Sequence, residues 1–472
     1  MTGKSGGSTM RRETSIHGQW SSKLIFVLAA TGSAVGLGNI WRFPYIAGEN
    51  GGGAFVLIYL ACILAIGLPI MMAEISLGRR GRQSPINTMA TLSREEGLSR
   101  IWGMVGWIGV AAGFMILSFY SVVAGWSLSY VFRAAGGAFS GLDAQGVEAL
   151  FNGLVSDPER LLAWHTLFMI MNVLVVARGV RSGLEQAVKF LMPALFVLLL
   201  VMVGYAYSLG HFGEGLRFLF KPDFSQVTGD TILLAMGQSF FTLSLGMGAI
   251  MIYGSYLSSR ASIARTSAAV VSADTAVALL AGMAIFPIVF ASGLAADAGP
   301  GLIFMTLPLA FAEMPFGLFF GTLFFVLLVM AAWTSSISLM EPAVAWLSEN
   351  RDIERPMAAV IVGAIAWLLG IGTVLSFNLW SAGFGFHVSW GGEVIYVGGT
   401  IFDILEYLTM NILLPLGGLL IALFVGWRMT RRSVEDELGI GSRLIFGAWY
   451  YVLRFAAPIG ILLVFLKAIN II

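Results

Sequence analysis

The sequence is short of nearly everything that marks a soluble or secreted protein. Its one cysteine, Cys62, lies inside an apolar run, so no intramolecular disulfide can form and a small buried hydrophobe is its expected role. No Asn-x-Ser/Thr acceptor occurs, which leaves nothing to suggest glycosylation. Charged residues are only 11% of the chain, and a formal net charge of +1 gives no reason to expect a nucleic-acid partner. There is no His or Cys cluster for a transition metal, no nucleophile paired with a base and no phosphate loop, so no enzyme chemistry is expected. The first 20 residues are polar and basic without an apolar core or small-residue cleavage site, which reads as a tail and not as a signal peptide.

What fills the chain instead is apolar. At 58% hydrophobic residues it exceeds the roughly half-apolar usage of soluble domains. Its apolar runs repeat at lengths of about 20 residues and more, enough to cross a hydrocarbon core. The expected class is an all-α polytopic membrane protein embedded in a lipid bilayer. Eleven spans are expected, at 22–47, 53–78, 102–132, 162–179, 187–209, 231–258, 264–294, 315–348, 356–376, 399–428 and 444–468. Arginines and lysines gather in alternate connections: Arg79, Arg80, Arg82, Arg94 and Arg100; then Arg178, Arg181 and Lys189; then Arg260 and Arg265; Arg351 and Arg355; and Arg428, Arg431, Arg432 and Arg443. The positive-inside rule makes these cytoplasmic, with the N-terminus inside and, after an odd number of spans, the C-terminus outside. The segments 293–314 and 376–398 contain no Lys or Arg and are expected outside.

Two of the spans break the apolar pattern. Gly32 to Pro44 reads GSAVGLGNIWRFP, placing Gly32, Gly36, Gly38, Asn39 and Arg42 where membrane depth is greatest. Gly237 to Gly248 reads GQSFFTLSLGMG, with Thr242, Ser244, Gly246 and Gly248 central in the sixth span. Irregular backbone within a bilayer is tolerated only where it faces protein or a water-filled cavity, so both helices are expected to be broken around a site for something small and polar. The alternative is that these glycines let helices pack closely, as small-xxx-small motifs do. Spans 1 and 6 are five apart, which predicts two five-helix repeats, the second inverted. The corresponding divisions are a tail at 1–21, a first repeat at 22–209, a second at 231–428, and an eleventh helix with its terminus at 444–472.

A broken helix offers both inner ends to the cavity, N–H groups on one side and free carbonyls on the other, and so suits both poles of a zwitterion. Carbonyls freed near Gly32, Ala34 and Val35, with the oxygens of Asn39 and Thr242, are hard neutral ligands of the kind alkali cations take. The eighth span carries AAWTSSISLMEP from Ala331 to Pro342, whose hydroxyls either line a site or bond to carbonyls one turn back. Asp274 lies in the seventh span, where an unpaired carboxylate costs roughly 3 kcal/mol on insertion scales. Either a cation partners it or it sits close enough to the interface to be hydrated. Asp403 and Glu406 lie one turn apart at the outer end of the tenth span, and Glu406 could reach Arg42 to form an outer gate.

GSAVGLGNIWRFPY with AGENGGGAF, GQSFFTLSLGMGA and WTSSISLMEP together closely resemble the neurotransmitter:sodium symporter family in its bacterial amino-acid-transporting branch, from about Trp20 onward. The resemblance implies two inverted five-helix repeats, two sodium sites and a central substrate pocket. Position by position, the first sodium site would use Ala34, Asn39, Thr242, Asp274 and the substrate carboxylate. The second would use Gly32, Val35, Ala331, Thr334 and Ser335. The pocket would comprise Ser33, Ala34, Leu37, Gly38, Ile116, Tyr120, Phe240, Phe241, Thr242, Ser244, Met247, Ser335 and Leu339. Tyr120 would hold the carboxylate and close a lid with Phe241. A cytoplasmic gate would combine Trp20, Tyr256 and Glu349 with His17, which stands where most members have Arg, making the gate weaker or pH-sensitive.

Other departures carry expectations of their own. Many members have Asn at the position of Asp274, and chloride-dependent animal members use a nearby serine where this chain has Ala278. Two sodium ions balanced by the substrate carboxylate and an ionised Asp274 leave no charge for chloride, so none should be required. Many members carry a twelfth helix, and since the core repeats end by the tenth span its loss should spare transport. Leu37, Ile116, Phe241, Met247 and Leu339 offer no charge to a side chain, which points to a neutral, apolar amino acid. The expected function is sodium-coupled uptake of such an amino acid across a bacterial inner membrane, by a monomer or homodimer. The rival readings are a sensor that binds without transporting and a symporter of another zwitterion such as a methylated glycine.

Overall fold

The computed structural model describes residues 15–294, 299–390 and 393–469. The expected tail therefore lies mostly outside the described residues, as do the last three positions of the chain.

Long apolar helices dominate, because in lipid only a helix or a closed barrel satisfies every backbone group internally. The first apolar segment is two helices, α1 (Lys23–Ala34) and α2 (Gly38–Glu49), bent by 55° at their junction. Then come α3 (Gly53–Gly81), α4 (Arg100–Ala135), α5 (Pro158–Ala177) and α6 (Val180–Ser208). The next segment is again split, into α7 (Gly229–Thr242) and α8 (Ala249–Ser255). The chain continues through α9 (Ile263–Ala291), α10 (Gly317–Asn350), α11 (Arg355–Ser376), α12 (Ile401–Arg428) and α13 (Arg443–Ala468). Among the described residues, nine helices are long and apolar enough to cross a membrane unbroken, and the bent pair α1/α2 makes a tenth. The predicted segments therefore exist as helices, with shifted ends: the third begins at Arg100 and the fifth at Val180.

Many helix starts are set by short polar side chains. Ser22 accepts from the N–H of Ile25, Ser262 from that of Arg265 and Ser442 from that of Ile445. Thr400 and Asp403 cap α12 reciprocally, so Asp403 is occupied at the helix start. Several connections hold structure of their own: helices at Ala144–Val155, Phe212–Phe220 and Thr306–Glu313, and a hairpin of Phe384–Trp390 with Glu393–Gly399, Phe384 opposite Gly399.

The broken pieces sit in the middle. Every residue of α8 is buried, as is the last turn of α1. α4 packs against α10, α3 against α8, and α1 against both α9 and α10, so both breaks are enclosed by continuous helices. The approach of α3 to α8 is close enough that a Cβ on Gly78 would lie 1.8 Å from the Met251 carbonyl oxygen.

Candidate functional site

α1 stops because Val35 turns to an extended ψ of 108°, after its N–H has bonded to the Thr31 carbonyl at 2.6 Å. The carbonyls of Gly32, Ser33 and Val35 then lie 3.3, 3.1 and 3.0 Å from the hydroxyl oxygen of Ser335 on α10. A hydroxyl has one proton and can serve one of these acceptors at a time. The result is a convergence of backbone and hydroxyl oxygens with an excess of lone pairs, the donor set of a small alkali cation. Its neighbour Thr334 bonds back to the Met330 and Ala331 carbonyls at 3.2 and 3.1 Å. Ser336 and Ser338 also bond one turn back, to Trp333 and Ser335. Of the four hydroxyls in that run, Ser335 reaches the broken backbone directly, while Ser338 accepts from the Ser33 hydroxyl at 2.7 Å.

The second convergence is on Asp274, which is fully buried in α9, so hydration at an interface does not account for it. The Asn39 amide donates to its Oδ1 at 2.7 Å and to its backbone carbonyl at 3.2 Å. The Thr242 hydroxyl lies 3.2 Å from Oδ2. Asn39 is itself oriented by the break, its Oδ1 accepting from the N–H of Gly36 at 3.2 Å. Among the described residues no cationic side chain pairs with Asp274. A buried carboxylate held only by neutral donors is a strong attractor for a cation.

The second break is tied to the first. Ser244 sits at φ 53°, unusual for a residue with a Cβ, and its hydroxyl donates to the Ser33 carbonyl at 2.8 Å. Gln238 donates to the Gly38 carbonyl at 3.0 Å. Glu74 of α3, fully buried, accepts from the N–H of Gly246 at 2.6 Å. Tyr120 of α4 accepts from the N–H of Leu37 at 3.1 Å. A Cβ at Gly36 would come within 2.8 Å of the Tyr120 hydroxyl and 2.5 Å of Ser335, so only glycine fits there. Neither Glu74 nor Gln238 is among the site residues expected from the sequence. A carboxylate in the second apolar span was the available signal for the first, and membership of the GQSFF run for the second.

Between the breaks lies a small cavity of about 30 Å³ bordered by Ser33, Ala34, Gly38, Ile116, Tyr120, Phe241, Ser244, Met247, Ser335 and Leu339. Three expected pocket residues stand elsewhere. Leu37 borders the space above, Thr242 serves Asp274, and Phe240 is turned away, its ring pressed on Gly418 of α12. Phe240 points outward because consecutive helical residues face directions about 100° apart, and its neighbour Phe241 takes the pocket side.

Above this cavity, and sharing Gly38, Tyr120 and Phe241 with it, opens a vestibule of about 350 Å³. Arg42 and Glu406 both border it but form no ion pair, and the Arg42 guanidinium lies 4.9 Å from the Phe241 ring centre. The expected Arg42–Glu406 gate contact is therefore not made. At the opposite, arginine-rich end the residues interlock. His17 Nε2 is 3.0 Å from Glu349, which also accepts from the Ser84 N–H at 2.8 Å and from Asn87 at 2.7 Å. Trp20 donates through its indole to the Tyr253 carbonyl at 3.1 Å. Tyr256 lies against His17 and Trp20, ring centres 6.1 and 5.9 Å away, and its hydroxyl donates at 2.6 Å to Glu341, which is paired with Arg355. Ser84, Asn87, Glu341 and Arg355 thus complete a closure that the motifs outlined only in part.

Comparison with known proteins agrees with this geometry. Residues 17–140 and 152–383 match the model of the sodium:neurotransmitter symporter family. The chain is 40% identical over 456 residues to the uncharacterized sodium-dependent transporter YhdH of Bacillus subtilis, covering 96% of this chain and 98% of that one. It is 35% identical to an uncharacterized sodium-dependent transporter of Haemophilus influenzae, over 95% and 97% of the two chains. The crystal structure of MhsT in complex with L-phenylalanine superposes with a TM-score of 0.85 at 44% identity, over 96% of this chain and 99% of that one. The relatives are transporters and not enzymes: this multi-pass membrane protein belongs to the sodium:neurotransmitter symporter family and is a sodium-dependent symporter.

Proposed function

We propose that the chain carries a neutral, apolar L-amino acid inward together with two sodium ions and without chloride. The observation that carries this reading is the buried Asp274 carboxylate, held by Asn39 and Thr242 alone, one helix break away from the carbonyl cluster around Ser335. One sodium would sit between Asp274, Asn39, Thr242, the Ala34 carbonyl and the substrate carboxylate. The other would lie among Gly32, Val35, Ala331, Thr334 and Ser335. Asp274 and the substrate carboxylate together balance two sodium charges, and Ala278 supplies no hydroxyl for an anion.

The substrate class follows from the lining: Ile116, Phe241, Met247 and Leu339 would leave a charged side chain buried without a partner. That the 44% identical MhsT was solved with L-phenylalanine supports the same class. Methionine repacks easily, so Met247 favours a range of side chains from leucine to the aromatics. The proposed topology has eleven spans, counting α1/α2 and α7/α8 as one broken span each, in two inverted repeats within a bacterial inner membrane. The arginine-rich end is inside and the vestibule outside. Ions and substrate enter from the vestibule, Tyr120 and Phe241 close over them, Arg42 and Glu406 then meet, and the His17–Glu349 end opens.

Each sodium moving through 100 mV gains about 2.3 kcal/mol, more than the 1.4 kcal/mol of a tenfold concentration ratio. Proteoliposome uptake of labelled leucine and phenylalanine tests this directly. Accumulation should require an inward sodium gradient and survive replacement of chloride by gluconate. Saturable binding without accumulation would mean a sensor, and loss of uptake in gluconate would refute chloride independence.

A further inference from the structure

The arginine-rich ends of α12 and α13 meet in a way that transport does not use. α12 finishes in a π-helical turn, Phe424–Arg428, and α13 contains a facing one, Val452–Ala456. Such turns within α-helices frequently mark functional positions. The two are joined by the Trp427 indole donating to the Arg454 carbonyl at 2.8 Å and the Tyr450 hydroxyl donating to the Gly426 carbonyl at 3.0 Å. Arg454, well inside α13, is thereby level with the last turn of α12.

Its guanidinium lies 4.2 Å from the Trp427 ring centre, 5.6 Å from that of Phe455 and 5.9 Å from that of Tyr450. Arg431 approaches the same Tyr450 ring to 5.5 Å. Among the described residues neither arginine forms an ion pair, and the Nε of Arg454 is buried without any hydrogen-bond partner. Ring faces attract a guanidinium but neither neutralise its charge nor accept its N–H groups with the strength of an anion. Two cations gathered on one ring without a counter-ion form half of a site.

The surroundings indicate what completes it. Trp427, Tyr451 and Phe455 are 48%, 55% and 44% exposed at this level, an aromatic belt of the kind that lies at a membrane interface. A soluble anion would have no use for that apolar surface, whereas a lipid presents a phosphate and acyl chains together. We propose that the α12/α13 junction binds the phosphate of an anionic glycerophospholipid between Arg454 and Arg431, with the acyl chains lying along Trp427 and Phe455.

The test uses the full-length protein in neutral detergent. Native mass spectrometry is run with an equimolar mixture of phosphatidylglycerol and phosphatidylcholine of matched chains. The wild type should retain phosphatidylglycerol selectively. Arg454→Gln and Arg431→Gln should each lower its retention about fivefold and leave phosphatidylcholine unchanged. Arg431 is exposed on a short helix, so its variant decides the matter if Arg454→Gln does not fold. Equal retention of the two lipids by the wild type, or unchanged phosphatidylglycerol retention in Arg431→Gln, overturns the proposal. Displacement of phosphatidylglycerol by millimolar glycerol phosphate would overturn the lipid as occupant in favour of a soluble phosphate.

Discussion

The two ends of the molecule flank the same central site and are built differently. At the vestibule end two opposite charges, Arg42 and Glu406, face one cavity without pairing, and Tyr120 and Phe241 border both that cavity and the smaller one below. At the arginine-rich end Glu349 alone accepts from His17, Ser84 and Asn87, and Glu341 ties Tyr256 to Arg355. The arginine-rich end is thus joined by buried hydrogen bonds and ion pairs, whereas the vestibule end has no such pair between Arg42 and Glu406. Apolar contacts are as good in one arrangement as in the next within a lipid-like interior, whereas a buried charge that loses its partner is costly. An alternating-access protein can switch by exchanging one such interlock for another.

The strongest way to break the comparison is to remove what both ends act upon. Asp274→Ala should lower sodium-driven uptake at least 100-fold and abolish the sodium-induced shift in melting temperature, read by thermal-shift titration of sodium. Retention of sodium stabilisation would remove Asp274 from the ion site.

Releasing the interlocked end comes next. Glu349→Gln weakens three hydrogen bonds and the His17 pair, and should shift the population toward an inward-open form. In a Cys62→Ala background carrying Ser338→Cys, thiol labelling from the arginine-rich side should rise about tenfold. Unchanged labelling would mean that packing, and not Glu349, holds that end shut.

Two smaller effects sharpen the picture. Met247→Phe narrows the space between the ends and should shift competition by several-fold toward smaller amino acids; an unaltered competition profile across a panel would move the pocket elsewhere. His17→Arg gives Glu349 a bidentate partner in place of a single ring nitrogen. Turnover should slow about twofold in initial-rate uptake, and a faster rate would show that the pair does not limit opening.

Much of this was readable in the linear chain wherever the cause was local. GSAVGLGNIWRFP and GQSFFTLSLGMG announced their breaks, since glycine, serine and asparagine cannot be explained as lipid-facing residues at depth. Asp274 announced itself as a carboxylate in an apolar helix. Glu74 carried the same signal and bonds to the second break, yet a single acid near the end of a span reads equally well as an interfacial residue. Tyr256 stands with Trp20 and His17 as the motif predicts, but that its hydroxyl goes to Glu341, about two helical turns before Glu349, is set by packing alone.

The apolar helices and the places where two of them stop are therefore written in the residues themselves, because a peptide group in lipid must bond within its own helix or face a cavity. Which groups meet there depends on packing between distant helices: Asn39 with Asp274 across 235 positions, Ser335 with Gly32 across 303, and Phe241 facing the pocket while Phe240 faces α12. Helical periodicity states which residues share a face, but the rotation and tilt that aim the face come from packing against the other helices.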